Sequence, residues 1–222
     1  MAAAPELLLI DKPTGMTSFD VIRQLRRRLG IKKMGHAGTL DPRASGLMLI
    51  GVGPGTKELA NLSKLDKEYV AEVRIGERRT TGDLEGEVVE TVAVHDLTEA
   101  AIETALSGMR GELSLPVSAY SAIKKDGVPM YKRARKAERE GTLVEEVPMR
   151  TMLVHAAELL GFSCAEGRAV ATVRCAVGSG TYVRSLAEEL GRRLGYPATL
   201  QALRRTKVGE FDIKDAQRLD KL

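Results

Sequence analysis

The chain is organised around the stretch Met34-Gly-His-Ala-Gly-Thr-Leu-Asp-Pro-Arg-Ala-Ser-Gly-Leu-Met-Leu-Ile-Gly-Val-Gly53. Gly35, Gly38 and Gly46 surround a single His, Thr and Asp, and an apolar run from Leu47 to Ile50 follows them. Glycine allows the backbone to take positive φ, whereas Pro42 fixes φ and biases the preceding Asp41 toward an extended conformation. The pattern predicts a polar loop that holds Asp41 in place and leads into a buried strand.

An Asp-Pro pair in a glycine-rich stretch is also typical of an ordinary turn, so composition alone leaves both interpretations open. The order of residues from Gly35 to Pro42, Gly-His-Ala-Gly-Thr-Leu-Asp-Pro, closely resembles the catalytic segment of the TruB family of tRNA pseudouridine synthases. Lys-Pro-x-Gly-x-Thr-Ser at residues 12–18 and Gly-Thr-Tyr-x-Arg at residues 180–184 resemble two further motifs of that family. The resemblance extends from about Leu7 to about Leu219.

Hydrophobic periodicity predicts both strands and helices along the chain. The predicted strands lie at residues 7–10, 69–75 and 169–177, and the predicted helices at 17–29, 98–109 and 182–194. A further strand at residues 200–209 is implied by the resemblance to the closing strand of the TruB family. Thr17 with Asp20 fits a capping box, and Gly30 and Gly195 stand where C-terminal caps are expected. These patterns predict an α+β fold. The resemblance implies the pseudouridine synthase fold, in which helices flank a mixed, largely antiparallel sheet.

The chain contains no internal repeat and no low-complexity linker, so we expect residues 1–222 to form a single catalytic domain. Many members of the family that it resembles continue into a C-terminal, PUA-like RNA-binding domain, and we expect none here. The N-terminal residues lack a basic region, and no apolar run approaches the roughly 18 residues that a membrane span needs. We therefore expect a cytoplasmic monomer with no membrane partner.

Cysteine and histidine usage argues against a metal site. Cys164 and Cys175 fit no metal or redox spacing, and we expect two buried thiols in a reducing compartment. The three histidines at positions 36, 95 and 155 are scattered and form no ligand cluster. We expect neither a metal nor a small-molecule cofactor.

Basic residues are concentrated in two regions of the sequence. The net charge of the chain is +4, yet residues 1–36 and 184–207 each carry an excess of about four basic side chains. Such clusters suggest a surface that binds a polyanion, although solvated helix surfaces explain a single cluster equally well. Arg204 and Arg205, in the second cluster, are predicted to contact RNA phosphates.

Asp41 is the candidate catalytic carboxylate, because the glycosidic isomerisation that the resemblance implies needs a positioned carboxylate in a pocket that excludes water. Arg184 is the candidate that orients it, since a neighbouring guanidinium keeps a carboxylate ionised and aligned. An arginine at a helix start opposes the helix dipole, which favours a placement for a partner. A surface arginine is the alternative.

The resemblance also implies the residues that bind the target uridine. Tyr69, Tyr182 and Leu203 match positions that form the uracil pocket in the family. His36, on the same glycine-rich loop as Asp41, matches the histidine that inserts among bases when the uridine is flipped out. The alternatives are ordinary strand packing for Tyr69 and a core histidine for His36.

One loop departs from the family pattern. Arg79-Thr-Thr-Gly-Asp83 stands where Thr-Asp-Thr-x-Asp is usual, so the last Asp is retained and the first is lost. The sequence assigns the loop no role.

The resemblance implies an isomerase that converts the T-loop uridine of tRNA, position 55, to pseudouridine. The reaction replaces the bond from ribose C1′ to uracil N1 with one from C1′ to C5, and the expected partner is the tRNA T-arm. Two alternatives remain: a synthase of the same fold that acts on another structured RNA, and a non-catalytic RNA-binding protein or tRNA-folding chaperone.

Overall fold

The first strand and the first helix follow the sequence pattern closely. β1 (Leu7–Lys12) buries alternate residues, and α1 (Ser18–Leu29) begins after the N-cap Thr17. The Thr17 hydroxyl accepts the Asp20 N–H at 3.1 Å, and the Asp20 carboxylate accepts the Thr17 N–H at 2.9 Å. This pair of hydrogen bonds is the predicted capping box. Gly30 ends the helix in the left-handed conformation, with φ of +68°, as predicted.

The computed structural model describes residues 6–121, 123–140, 142 and 147–221. The remaining helices in that part of the chain are α2 (Leu59–Leu62), α3 (Glu99–Ser107), α4 (Met130–Arg139) and α5 (Val183–Leu194). The remaining strands are β2 (Met34–Ala37), β3 (Ser45–Val52), β4 (Lys67–Ile75), β5 (Glu77–Arg79), β6 (Val88–Thr91), β7 (Gly111–Pro116), β8 (Lys124–Lys125), β9 (Val128–Pro129), β10 (Met149–Ala165), β11 (Arg168–Val177), β12 (Ala198–Val208), β13 (Phe211–Asp212) and β14 (Gln217–Arg218).

The chain packs as two compact units, and β4, β11 and β12 each contribute residues to both. Unit 1 contains the described residues up to Ala71, Arg174–Gly180 and the described residues from Ala202 onward. Unit 2 contains the described part of Glu72–Val173 together with Thr181–Gln201. The single catalytic domain expected for residues 1–222 stays a prediction.

Unit 1 contains the strand order β14-β1-β3-β12-β4-β11, with β2 on β3 and β13 on β12. One edge of β3 pairs with β1. The opposite edge pairs first with β12, through Ser45 and Gly46, and then with β2, through Leu49–Val52. The loop between β2 and β3 therefore lies where this edge of β3 changes partner. In this unit, Ala37, Leu47, Leu49 and Val208 form a fully buried apolar cluster.

Unit 2 contains the strand order β12-β4-β11-β10-β7. β10 and β7 pair antiparallel, and α3 packs against β10 and against α5. The cap predicted at Gly195 is present, since this residue ends α5 with φ of +77°. An N-cap that was not predicted begins α3, where the Thr98 hydroxyl accepts the Ala101 N–H at 3.2 Å. Ile102 and Leu106 of α3 are buried, as are Val183, Leu186 and Leu190 of α5.

The predicted fold class is confirmed. β1 with β14 and β3 with β12 are parallel pairs, whereas β1 with β3, β2 with β3, β7 with β10 and β12 with β13 are antiparallel. The fold is therefore α+β, with helices beside a mixed, largely antiparallel sheet. In the described part of the chain, no helix is both long enough and apolar enough to cross a membrane.

One prediction about the cysteines is wrong. Cys175 is buried on β11, and burial raises the pKa of its thiol to about 12. Cys164 is exposed instead, because it lies near the end of β10, where the strand runs past the core.

Candidate active site

Asp41 lies in the loop between β2 and β3, residues 38–44. Gly38 begins this loop, and Gly46 is the second residue of β3 after it. Gly38 has φ of +82° and Gly46 has φ of +110°, conformations that L-residues rarely adopt. A Cβ atom on Gly46 would also lie 2.3 Å from the Arg205 carbonyl oxygen, on the neighbouring strand β12. Glycine at position 46 therefore lets β12 approach β3 at the point where the loop ends.

Hydrogen bonds hold the backbone of the loop on both sides of Asp41. Before it, the Leu40 N–H donates to Ser18 Oγ at 2.9 Å, and the same hydroxyl donates to the Leu40 carbonyl at 3.0 Å. After it, the Pro42 carbonyl accepts the Gly15 N–H at 2.9 Å and Lys12 Nζ at 3.4 Å. Asp41 is therefore fixed by its neighbours, as the sequence predicts.

The Lys12–Ser18 motif supplies these contacts, and its role as a support was not foreseen from the sequence. Its Lys, its Gly and its Ser each bond to a residue adjoining Asp41. Lys12 also donates to the carbonyls of Pro13 and Met16, at 3.0 and 2.8 Å, so its ammonium is held by backbone oxygens although the residue is fully buried. The motif and the Asp41 loop form one structural assembly.

Arg205 lies beneath the same loop, and its side chain is buried. Only 1% of the residue is exposed. Its Nε donates to the Leu47 carbonyl at 2.7 Å and its Nη2 to the Gly38 carbonyl at 3.2 Å. The planar fork of a guanidinium can make both bonds at once, whereas the ammonium of a lysine cannot match that geometry. Arg205 thus joins the start of the loop to the start of β3.

Two lysines complete a buried cation cluster, which we define as Lys12, Lys67 and Arg205. Burial lowers the pKa of Lys12 to about 8, with the charge of Arg205 acting in the same direction and the Asp41 carboxylate acting against it. Burial, with a further contribution from Arg205, also lowers the pKa of Lys67 to about 8. Lys67 Nζ donates to the carbonyls of Ser63 and Leu65 at 2.6 and 2.5 Å. Positive charge is therefore concentrated around the Asp41 loop.

His36 lies on β2, opposite Ile50 of β3, and not on the loop itself. The prediction that it shares the loop with Asp41 is wrong in this respect, because residues 34–37 pair with β3 before the loop begins. His36 is half-buried; burial lowers its pKa, and the charge of Arg205 lowers it further. A neutral imidazole at neutral pH suits stacking among bases. Among the described residues, its buried Nδ1 has no hydrogen-bond partner.

Tyr69 and Leu203 also belong to unit 1. Tyr69 is buried, with 8% exposed, at an inward position of β4. Burial raises the pKa of its hydroxyl, an effect that the charge and hydrogen bond of Arg205 oppose. The charge of Asp41 acts on this pKa in the same direction as burial. Leu203 is half-buried on β12.

Tyr182 and Arg184 belong to unit 2, at the start of α5. Arg184 is buried, with 7% exposed. Its Nη1 donates to Ser118 Oγ at 2.9 Å and to the Thr81 carbonyl at 3.1 Å, and its Nη2 donates to the Tyr120 carbonyl at 3.3 Å. This burial removes the alternative of a solvated surface arginine. That Arg184 orients Asp41 stays a prediction.

The loop that departs from the family pattern contacts this arginine. Asp83, its retained acid, is buried and lies 3.9 Å from Arg184 Nη1. The Asp83 carboxylate also accepts the Thr81 hydroxyl at 2.6 Å and the Glu85 N–H at 3.0 Å. The loop therefore has a structural role, which is to provide an acid and a carbonyl to Arg184.

Arg204 and Arg205 have different surroundings, although the sequence predicts the same role for both. The prediction that Arg205 contacts RNA phosphates is wrong, because its side chain is buried in unit 1 and donates its hydrogen bonds to backbone carbonyls. Arg204 lies on the other side of β12, with 43% of its side chain exposed, and forms a two-point ion pair with Asp11 at 2.8 and 3.1 Å. Alternation along a strand places adjacent residues on opposite faces. The two-residue alternation of a strand was therefore the signal in the sequence that could have distinguished Arg204 from Arg205.

The described residues contain no group of three or more His, Cys, Asp or Glu side chains that could hold a metal ion. The expectation of no cofactor rests on the sequence analysis alone.

Comparison with known proteins identifies the family. Residues 26–183 match the model of the TruB family pseudouridylate synthase N-terminal domain, and residues 184–222 match that of the tRNA pseudouridylate synthase B C-terminal domain. The chain is 45% identical over 214 residues to tRNA pseudouridine synthase B of Opitutus terrae, covering 96% of this chain and 85% of the relative. It is 44% identical over 218 residues to the protein of that name from Mycolicibacterium paratuberculosis, covering 98% and 73%.

Solved structures agree with this assignment. A chain of a Cbf5-Nop10-Gar1 complex is similar with a TM-score of 0.71 and 27% identity, over 97% of this chain and 53% of that one. A chain of an H/ACA RNP bound to a substrate RNA containing 2′-deoxyuridine is similar with a TM-score of 0.69 and 27% identity, over 97% and 51%. This chain thus spans about half the length of those two. The chain belongs to the TruB family of pseudouridylate synthases.

Proposed function

We propose that the chain isomerises a uridine of tRNA to pseudouridine, that its target is the T-loop uridine, and that Asp41 is the catalytic carboxylate. The observation that carries the proposal is the fixed Asp41 loop. The residues before and after Asp41 are hydrogen-bonded to the Lys12–Ser18 motif, and Arg205 holds the loop from beneath. The family match and relatives named tRNA pseudouridine synthase B support tRNA as the substrate.

The reaction needs one positioned carboxylate and no redox partner. The bond from C1′ to N1 breaks, the uracil turns, and a bond from C1′ to C5 forms. C5 loses its hydrogen as a proton and N1 gains one, so atoms and electrons balance. Asp41 acts either as a nucleophile or as a general base, on the ribose or on the uracil. A rigid loop suits this role, because a carboxylate held in place loses little freedom when the transition state forms.

The neighbouring side chains of unit 1 suit the handling of a flipped base. A uridine stacked in the T-loop must leave its stack before its glycosidic bond is accessible, at a cost of a few kcal/mol. We propose that His36 occupies or borders the space that the flipped uridine leaves and stacks on the neighbouring bases. Stacking of an aromatic ring on RNA is worth roughly 1 to 3 kcal/mol per base. Tyr69 and Leu203 then contact the uracil, Tyr182 completes the pocket, and Arg184 orients Asp41.

We further propose that the protein acts as a monomer in the cytoplasm and recognises the T-arm alone. Cys164 and Cys175 are both free thiols, which is typical of a reducing compartment. A T-arm hairpin is expected to be a substrate because the loop and stem carry the target uridine and its neighbours.

The test measures tritium release from a T-arm hairpin labelled at uracil C5, with wild type and Asp41→Asn. Wild type is expected to release tritium, and Asp41→Asn to release none above background while still binding the hairpin. Asp215→Asn is the control, since this exposed carboxylate lies in a 3₁₀ turn of unit 1. Unchanged release by Asp41→Asn would contradict the catalytic role. No release by wild type from hairpin or tRNA would favour another structured RNA or a binding-only function.

A further inference from the structure

We propose that a basic cleft in unit 1, beside the Asp41 loop, binds the phosphodiester backbone of the RNA substrate. The inference rests on the proposed function and adds a second contact site to it. The cleft encloses about 520 Å³. We call it the arginine cleft, because Arg28, Arg204 and Arg218 line it, together with Asp11, Lys12 and Met16.

The arginine cleft joins basic residues that are far apart in the sequence. Arg28 comes from the last turn of α1, Arg204 from β12 and Arg218 from β14. The first belongs to the basic region at residues 1–36 and the second to that at 184–207. Tertiary structure therefore places parts of both basic regions around one concavity. This convergence distinguishes the cleft from a solvated helix surface, on which a single cluster would stand alone.

The charges around the cleft favour an anion. Among the described residues that line it, Asp11 is the one carboxylate, and that acid is already bound to two nitrogens of Arg204. The pair is neutral as a whole, but it holds the guanidinium in one orientation. Arg204 also donates to Ser45 Oγ at 3.4 Å, so two of its five N–H donors are left for other acceptors. Arg28 is similarly oriented, since its Nη1 donates to the Leu219 carbonyl at 2.6 Å. Preoriented guanidinium groups are well suited to phosphate oxygens.

The chemistry of the lining favours the sugar-phosphate backbone over the bases. The described residues that line the cleft include no aromatic side chain on which a base could stack. They offer charged forks, one amide from Gln24 and short apolar surfaces such as Met16. Contacts of that kind position an RNA without reading its sequence.

The cleft adjoins the catalytic loop through Lys12. This residue lines the cleft, and its Nζ donates to the carbonyl of Pro42, the residue after Asp41. A phosphate in the cleft thus belongs to nucleotides close to the target uridine. The T-arm hairpin should therefore retain the contact, and the effect of losing it should be the same for the hairpin as for full-length tRNA.

The experiment compares the salt dependence of hairpin binding for wild type, Arg218→Gln and the double variant Arg28→Gln/Arg218→Gln. Each phosphate contact to a single strand contributes about 0.7 to the slope of log Kd against log salt. The slope is expected to fall by about 0.7 in the single variant and about twice that in the double variant. Arg27→Gln is the control, because it removes the same charge from an exposed position on α1 that does not line the cleft.

Several outcomes would overturn the proposal. Slopes that change equally in Arg27→Gln and Arg218→Gln would show a general effect of net charge. A change in slope seen with full-length tRNA but not with the hairpin would show that the bound phosphate does not lie close to the target uridine. Phosphorus NMR with inorganic phosphate tests whether the cleft binds a small phosphate ligand. If Arg218→Gln abolished that binding and left the salt slopes for RNA unchanged, the ligand of the cleft would be a small phosphate compound and not RNA.

Tritium release by wild type, measured in the same series, separates this inference from the proposed function. Release with unchanged slopes would contradict the arginine cleft alone, whereas no release by wild type from any tRNA would contradict the proposed function.

Discussion

The buried cation cluster and the arginine cleft use positive charge in opposite ways, although Arg205 and Arg204 are neighbours on β12. In the cluster, Arg205 is removed from solvent and donates to backbone carbonyls at both ends of the Asp41 loop. In the cleft, Arg204 keeps much of its side chain in solvent and is bound to an acid. The difference teaches that two neighbouring arginines can serve opposite ends, one as a buried support of the Asp41 loop and the other as a partly exposed cationic side chain.

Burial decides which use is costly to disturb. A buried carbonyl that loses its donor is left unsatisfied at about 1 to 3 kcal/mol, whereas a half-exposed ion pair is worth about 0 to 1 kcal/mol. We therefore expect substitution of Arg205 to change stability and turnover, and substitution of Arg204 to change mainly RNA binding. Lys12 belongs to both the cluster and the cleft, and its burial places it with Arg205 in this respect.

The largest effect is expected for Arg205→Met. The change leaves the carbonyls of Gly38 and Leu47 without their donor, so the free energy of unfolding should fall by about 3 kcal/mol. Tritium release should fall more than hairpin affinity, because the Asp41 loop loses its support. Urea unfolding and single-turnover kinetics measure the two effects. Arg205→Lys keeps the charge without the fork and should recover only part of the loss; complete recovery would contradict a role for the fork.

A smaller effect, on the pH dependence of stability, is expected at Lys12. Its pKa is about 8 in the folded chain and ordinarily 10.5, so between these pH values the unfolded chain binds more protons. The contribution of Lys12 to stability therefore rises with pH across that window and is lost as pH falls through 8. In urea unfolding, wild type should gain stability relative to Lys12→Met from about pH 8 to about pH 10.5. A constant difference would contradict burial of the ammonium.

A smaller effect again is a shift in the titration of His36. Because the Arg205 charge helps to lower the pKa of this imidazole, Arg205→Met should raise it. NMR titration of the His36 ring resonances measures the shift. Arg204→Met is the matched control, since it removes the same charge from the adjacent position on the opposite face of β12. Equal shifts in both variants would mean that net charge, and not proximity, sets the pKa.

The smallest effect on stability is expected for Arg204→Met. Its ion pair with Asp11 is partly exposed, so the free energy of unfolding should change by no more than about 1 kcal/mol. RNA binding should lose about 0.7 of salt slope. Urea unfolding and filter binding give both values. A stability loss as large as that of Arg205→Met would abolish the contrast between cluster and cleft.

Features that depend on nearby residues could be predicted from the sequence. The caps of α1 at Thr17 and Gly30 and the alternation of β4 depend on residues two to four positions apart, and both are confirmed. The family could be inferred in the same way, because Gly35–Pro42 is a continuous segment. That Asp41 is held in place was predicted from Pro42 and the surrounding glycines, whereas the hydrogen bonds that hold its neighbours come from the distant Lys12–Ser18 motif.

The placement of the arginines could not be predicted, because it depends on contacts between distant segments. Arg205 and Gly38 are 167 positions apart, and only the pairing of β12 with β3 brings them together. The same pairing turns Arg204 outward toward Asp11, 193 positions away. Cys164 and His36 illustrate the same limit, since strand length and strand pairing decided their surroundings. Local patterns establish the elements and the family of this protein, while long-range packing decides which of its charges are buried and which face solvent.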